Sequence, residues 1–232
     1  MLTEYHCHIL PCIDDGSDSL ETSLEMIRLM HEQGVRRIVA TPHFYAHREK
    51  SVAHFLEKRD YAYDRLMQAG PAIKNILLGA EVAIERGIST LPDISKLVFQ
   101  DTDLIMLEFP YKSFEGWMAE ELDDIAVKYG LEIIIAHVHR YQELYSKSDF
   151  ETLLSLNALY QINNEAFADR KEKKVVKRLI KERYPLVFGS DAHNMQSRRP
   201  NWDLLQKKAE KSLIFSSDRL LEKHRLKTDW DM

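Results

Sequence analysis

The stretch Glu132-Ile133-Ile134-Ile135-Ala136-His137 decides how the whole chain is read. Its four consecutive apolar residues, three of them β-branched, suit a short strand buried on both faces and are far too few to span a bilayer. A histidine stands where that strand ends. Moving outward, the same pattern recurs: a short apolar run, then a longer helix-like stretch. Candidate strands occupy residues 4–6, 37–41, 75–79, 103–108, 132–136, 160–163 and 185–189. The clearest helix starts at Asp18, with Glu21 three residues on in capping-box spacing. Leu20, Leu24, Ile27 and Met30 then share one face, and Gly34 ends the run. Further helices are expected at residues 52–68, 116–129, 151–156, 172–181 and 201–211. Strand alternating with helix implies parallel pairing through crossover helices, so the fold class is α/β, an incomplete (β/α) barrel in preference to an open sheet. Residues 87–100 and the tail after Ser212 take no assignment.

A chain of 232 residues can bury a substantial core, and no repeat, low-complexity tract or Pro/Gly-rich linker divides it, so residues 1–232 read as a single domain. The 44% hydrophobic and 30% charged residues are ordinary for a globular protein. A net charge of -5 gives no electrostatic case for a nucleic-acid partner. No stretch is long and apolar enough for membrane insertion, and no signal segment precedes His6, so a cytoplasmic location is expected. Cys7 and Cys12 are too few for a disulfide scaffold and match no zinc-finger spacing, which suits a reduced setting.

The reactive residues cluster at strand ends. His6 and His8 end the first strand, and Asp15 lies in the loop after it. His43 follows the second strand, Glu81 the third and His137 the fifth; Glu108 closes the fourth, and Asp191 and His193 follow the seventh. In a parallel barrel all strand C-termini open on one rim, where active sites of such folds sit. Nine side chains able to bind a divalent metal would therefore converge from six of the seven strands. Each alone has an ordinary explanation: a chance His-X-His pair, a helix-capping carboxylate, a turn with an N-cap Asp. Their joint occurrence at corresponding places is what points to a site. Cys7 should face away from His6 and His8 by strand alternation, which makes it packing and not a nucleophile. His31, His54 and His224 lie in helical or tail contexts and read as solvated or packed. The run 169–183, DRKEKKVVKRLIKER, reads as a solvated helix with an apolar stripe at Val175, Val176, Leu179 and Ile180.

HCH at 6–8, TPH at 41–43, GAE at 79–81, EF at 108–109, AHVHR at 136–140 and SDAH at 190–193, in this order, resemble the PHP (polymerase and histidinol phosphatase) superfamily. The DDG at 14–16, LEFP at 107–110 and IIAHVHRY at 134–141 are most similar to its bacterial metal-dependent protein-tyrosine phosphatases of capsule and exopolysaccharide operons. The resemblance runs over residues 5–200. It implies a distorted (β/α)7 barrel holding three divalent metal ions, manganese foremost, with iron, magnesium or zinc as the other choices. One metal would take His6, His8, Glu81 and Asp191. A second would share Glu81 and add Glu108 and His137, and a third would take Asp15, His43 and His193. Arg140 and Arg198 match arginines that grip the substrate phosphate.

Two positions depart from the family pattern. Glu4 stands where Asp is usual, and His139 stands where Glu is usual, open to a role as supporting partner, proton carrier or rim residue. The implied reaction is hydrolysis of phosphotyrosine in a protein, a bacterial tyrosine kinase controlling polysaccharide synthesis. Metal-activated water attacks phosphorus, the arginines bind phosphate, and a leaving phenol of pKa near 10 needs only modest help from a metal, an arginine or His139. Alternatives on the same barrel are histidinol-phosphate or another small-molecule phosphatase, a DNA-processing module, and a degenerate barrel kept for binding. Homo-oligomerisation is left open.

Overall fold

In the computed structural model, which describes residues 1–226, strands and helices alternate from β1 (Leu2–Cys7) onward. The other strands are β2 (Val35–Ala40), β3 (His43–Phe44), β4 (Ile76–Leu78), β5 (Glu81–Ala83), β6 (Leu104–Glu108), β7 (Glu132–Ile135), β8 (Leu159–Asn163) and β9 (Leu186–Gly189). All pair in parallel, as β1-β2-β4 and as β3-β5-β6-β7-β8-β9. Beyond the expected second and third strands, found as β2 and β4, the short strands β3 and β5 continue the sheet after a break. At the break Pro42 has no N–H to give a ladder, and Gly79 passes so close to Phe99 that a Cβ would lie 2.6 Å from its ring. Hydrogen bonds from Gly79 to Ala40 (2.9 Å) and from Glu81 to Pro42 (3.0 Å) carry the pairing across. The seam closes where Asp191 N donates to His6 O at 2.8 Å and His8 N to Ala192 O at 2.9 Å. The result is a distorted barrel, the form the family resemblance implied, and not the open sheet that the alternation disfavoured.

Side chains sort by the two-residue period of the strands. Val39, Leu104, Met106, Ile134, Ala136, Leu159 and Val187 form one buried cluster with Tyr5, closed below by Phe99 and Leu221. Their neighbours Ile38, Ala40, Ile105, Leu107, Ile133, Ile135, Tyr160, Ile162 and Phe188 belong to the outer core under the helices. In β1 the register slips: Glu4 pairs with Ile38 and Cys7 with Ala40, three steps against two. That bulge lets Tyr5 join the interior cluster while His6 and His8 still reach the site. Cys7 packs in the outer core, as alternation required.

The helices are α1 (Leu20–Glu32), α2 (Val52–Gln68), α3 (Gly116–Tyr129), α4 (Tyr141–Leu144), α5 (Lys147–Ser155), α6 (Glu172–Lys181), α7 (Trp202–Lys208) and α8 (Lys211–Lys223). Three expectations are corrected, and the two unassigned stretches are resolved. The cap of α1 is Ser19, whose side chain accepts from Thr22 N; Asp18 instead takes the Thr22 hydroxyl. The helix expected at 151–156 begins earlier, at Lys147, under the Ser146 cap. The one expected at 201–211 stops at Lys208, and a separate helix, α8, occupies the unassigned tail. Residues 87–100 hold two short 3₁₀ turns, Ile88–Thr90 and Ile94–Leu97, in place of a crossover helix. Turns of three or four residues carry no 3.6-residue signal. Helix α8 covers the barrel floor: the Tyr5 hydroxyl donates to Ser217 O at 2.7 Å and accepts from Leu221 N at 3.0 Å.

Candidate metal centre and phosphate site

Above the apolar layer the strands end in ionisable residues, and these meet. Glu81, at the start of β5 and fully buried, is the hub. Its Oε2 lies 3.0 Å from His6 Nε2, 3.3 Å from His8 Nε2 and 3.1 Å from His43 Nδ1. Its Oε1 lies 2.9 Å from His137 Nε2, which is also 3.5 Å from Glu108 Oε1. Asp191 divides its two oxygens. Oδ1 stands 3.5–3.6 Å from nitrogens of His6, His8 and His193. Oδ2 accepts from Arg140 Nη1 (2.9 Å), Arg198 Nη2 (2.7 Å) and Asn163 Nδ2 (3.0 Å). Asp15 is the exposed member, 3.4 Å from His43 Nε2 and 3.6 Å from His193 Nε2. All nine strand-end residues and both arginines thus come together on one rim.

Two of the site residues have backbone angles that side chains rarely adopt: His137 has φ +29° and Asp191 φ +50°. Such conformations persist only where the surroundings enforce them, and they concentrate at functional sites. Close packing of strands adds to the constraint. At Gly189 a Cβ would lie 2.7 Å from Glu4 Oε1 and 2.8 Å from His6 N, so β9 meets β1 only through glycine.

The charge pattern is that of an anionic cradle balanced by imidazoles. Burial opposes ionisation of Glu81, yet His6, His137 and His43 hold its carboxyl well below the usual carboxylate range. Burial likewise opposes charge on Asp191, and His6, His8 and Arg140 override it in the same direction. Burial depresses His8 and His137, but carboxylates prevail: Asp14, Asp191 and Glu81 push His8 well up, and Glu108 and Glu81 push His137 to about 9. A divalent cation would supply the positive charge that these protons otherwise carry.

The donors fit such ions. His43 Nδ1, Glu81 Oε2 and His193 Nε2 are buried with no hydrogen-bond partner, a costly state for polar atoms unless something else satisfies them. Among the described residues, three sets have ligand atoms within 4.8 Å of one another: His6/His8/Glu81, His8/His43/His193 and His43/Glu81/Glu108. Imidazole and carboxylate donors in such sets suit zinc, manganese, iron or magnesium chemistry. The grouping differs in detail from the expected one, because His43 also reaches towards Glu81 and Glu108.

Other residues hold these ligands, and the amides among them left no signal in the sequence. Asp14 Oδ2 accepts from His8 Nδ1 at 2.7 Å and from His43 N at 2.9 Å, while Oδ1 caps Gly16 N. It therefore both shapes the turn and fixes two ligands. Gln161 Oε1 accepts from His137 N and lies 3.1 Å from His6 Nδ1; Gln161 Nε2 donates to Asn163 Oδ1. These amides come from β8, the strand whose end contributes no ionisable ligand. Glu4 lies outside the cluster, where its carboxylate accepts from His6 N, Ser190 N and Oγ, and Trp202 Nε1. His139 is not brought to the site. It is buried and does not line the site cavity, its Nε2 lies 3.8 Å from Glu172 Oε2, and burial, with Arg140 and His137 beside it, pushes it well down towards the neutral form.

A cavity of about 510 Å³ opens over this rim, lined by His43, Glu81, Glu108, His137, Asp191, Arg140 and Arg198 among others. A larger cavity of about 630 Å³ between Leu2 and Phe215 has no histidine in its lining and is far more apolar.

Comparison with known proteins agrees with this geometry. Residues 2–216 match the family model described as capsular polysaccharide synthesis, CpsB/CapC. The tyrosine-protein phosphatase YwqE of Bacillus subtilis is 30% identical over 208 residues, covering 85% of this chain and 79% of the relative. The tyrosine-protein phosphatase CpsB of Streptococcus pneumoniae is 27% identical over 230 residues, covering 89% and 90%. A crystal structure from the work on those two proteins, described there as unique metal-dependent tyrosine phosphatases, superposes with TM-score 0.79 at 27% identity, over 97% of this chain and 96% of that one. The phosphotriesterase of Mycobacterium tuberculosis, 11% identical with TM-score 0.58, shares the fold alone.

Proposed function

The chain belongs to the CpsB/CapC family of capsular polysaccharide synthesis, and from that premise we propose that it hydrolyses phosphotyrosine in proteins with bound divalent metal ions. The observation that carries this reading is the shared carboxylate of Asp191. One of its oxygens faces the histidines, and two arginines grip the other. A phosphate seated there would touch the ligand cluster and both guanidinium groups at once.

When bound, the metal ions supply Lewis-acid charge for the phosphoryl oxygens and bring the pKa of water down towards roughly 7. The chain supplies the rest. Arg140 and Arg198 offer planar pairs of N–H donors that match a phosphate edge, where a lysine would act only as a point charge. Glu81 presents both oxygens to facing histidines, the arrangement a bridging carboxylate requires. Asp14 holds His8 with its Nδ1 engaged and its Nε2 directed at Glu81, which sets the ring's tautomer. A phosphocysteine step is not part of this reading, because Cys7 is fully buried in the outer core and Cys12 does not line the cavity.

The finer assignment is three ions with manganese foremost, His6, His8, Glu81 and Asp191 on one, Glu108 and His137 with Glu81 on the next, and Asp15, His43 and His193 on the third. A single catalytic domain, a cytoplasmic setting and a tyrosine kinase of polysaccharide synthesis as substrate complete it. The absence, among the described residues, of any helix long and apolar enough to cross a membrane is compatible with that setting. The test is an assay of metal-stripped protein reloaded with each ion in turn, on a phosphotyrosine peptide and on histidinol phosphate. Metal-dependent hydrolysis favouring the peptide is expected; no hydrolysis with any ion would overturn the reading.

A further inference from the structure

Around the phosphate grips, the cavity has an aromatic and apolar mouth that the hydrolytic chemistry leaves unused. Tyr45 and Tyr111 line it together with Ala83, Ile84 and Pro110. Each tyrosine packs on a histidine that reaches a different oxygen of one carboxylate. The Tyr45 ring lies 5.2 Å from the ring of His43, whose Nδ1 is 3.1 Å from Glu81 Oε2. The Tyr111 ring lies 5.8 Å from the ring of His137, whose Nε2 is 2.9 Å from Glu81 Oε1. Both rings are also held from behind. The Arg48 guanidinium sits 4.6 Å over the Tyr45 ring. Tyr111 packs on the Tyr141 ring at 6.0 Å, and its hydroxyl accepts from Arg140 Nη1 at 3.4 Å. Even so, Tyr111 remains 52% exposed, a large aromatic side chain left in water at the edge of a catalytic cavity.

We propose that Tyr45 and Tyr111 form a slot for the ring of an aryl phosphate, and that this slot selects phosphotyrosine over phosphoserine and phosphothreonine. The inference rests on the reading that the site below hydrolyses phosphate monoesters. With phosphorus held near Arg140, Arg198 and the Glu81 cluster, the ester oxygen points up between the two tyrosines. A phenyl ring there meets an aromatic face on each flank and apolar side chains of Ile84 and Pro110. It also spaces the substrate main chain out to the mouth. A seryl or threonyl ester has no ring to fill the slot, so it forgoes the contact with both aromatic faces and with Ile84 and Pro110.

The test uses the metal-loaded full chain on four substrates: phenyl phosphate, glycerol 1-phosphate, and matched peptides carrying phosphotyrosine or phosphoserine. Phenol is intrinsically the better leaving group, so the quantity to follow is the change in the aryl-to-alkyl ratio between proteins. Tyr45→Ala and Tyr111→Ala are each expected to lower the aryl-to-alkyl ratio of kcat/KM by about 3- to 10-fold, chiefly through KM for the aryl substrates. Tyr45→Phe and Tyr111→Phe keep the rings and are expected to keep the ratio. Melting curves of all four variants establish that they are folded. If the alanine variants leave the ratio unchanged, or if the phenylalanine variants lower it as much as alanine does, the slot is refuted while the phosphatase reading stands. If the unaltered protein hydrolyses none of the four substrates with any metal, the phosphatase reading itself fails and the slot falls with it.

Discussion

His8 Nδ1 and Asp14 Oδ2 lie 2.7 Å apart, both buried, joining the end of the first strand to the turn that follows it. Asp14 also takes the backbone N–H of His43, so one carboxylate fixes two candidate ligands from different strands. Asp14→Ala is therefore expected to weaken metal binding by about 10- to 100-fold, the usual effect of losing a group that orients a ligand. Titrating activity against metal concentration measures it. The half-saturation point should rise, and excess metal should recover much of the rate; an unchanged half-saturation point would count against Asp14 as an orienting group.

Glu4 is a fully buried carboxylate whose neighbours are all donors: His6 N, Ser190 N and Oγ, and Trp202 Nε1. Burial pushes its pKa up while those bonds oppose the shift. Glu4→Gln turns one acceptor into a donor that faces N–H groups already committed. An expected loss of about 2–4 kcal/mol follows from the unmade bonds, read as a lower midpoint in chemical denaturation. Equal stability of the two proteins would mean that the network is looser than its geometry.

The seven strand positions and the rim of ligands were legible because β-branched runs and strand-end His, Asp and Glu leave local signals. What stayed hidden had none. β3 and β5 span only His43–Phe44 and Glu81–Ala83, too short for any alternation to register. Gln161 and Asn163 are amides, which a search for titratable ligands passes over, yet they brace His137 and Asp191. The role of α8 depends on Tyr5, more than 200 positions away, and no window along the sequence contains both. His139 was open to a role as supporting partner, proton carrier or rim residue by its place between His137 and Arg140, and that it does not line the cavity shows only in three dimensions.

Cys7 and its neighbours separate two mechanisms. Its thiol is fully buried and lies 3.6 Å from Val39 O, while His6 and His8 on either side reach Glu81. Cys7→Ser is expected to retain most of the phosphatase activity and to cost no more than about 1–2 kcal/mol of stability, the penalty of a buried hydroxyl whose bonding is imperfect. His43→Ala and Asp191→Ala are expected to abolish activity. Loss of activity in Cys7→Ser with a normal melting curve, or full activity in either of the other two, would reverse the assignment.

Lysine cannot replace the arginines at Asp191. Arg140 Nη1 and Arg198 Nη2 converge on the same oxygen at 2.9 and 2.7 Å, and while Arg140 Nη2 also donates to Glu165 Oε1 at 3.3 Å, the other nitrogens of Arg198 face no such partner among the described residues. Arg198→Lys keeps the charge but removes the paired donors. It is expected to lower kcat/KM by about 10- to 100-fold, as loss of a bidentate contact to the reacting group does. Inorganic phosphate, a competitive inhibitor in this reading, should bind more weakly by a comparable factor. An unchanged inhibition constant would place Arg198 outside the phosphate site.

Removing metal should also destabilise the fold, because the cluster ties together ends of β1, β3, β5, β6 and β9. Glu81 Oε2, His43 Nδ1 and His193 Nε2 are buried there with no hydrogen-bond partner in the protein. Ligand binding to the folded state alone, at about 100 times its dissociation constant, contributes about 2.7 kcal/mol. For a chain of this size that corresponds to a melting shift of about 5–10 °C. Adding a chelator to protein purified with its native ions should lower Tm by that amount, and restoring the ions should raise it again. His8→Ala should lose most of that metal-dependent increment, since His8 belongs to two of the three ligand sets. A melting temperature insensitive to chelator in the unaltered protein would argue that these histidines and carboxylates are held by the fold without ions.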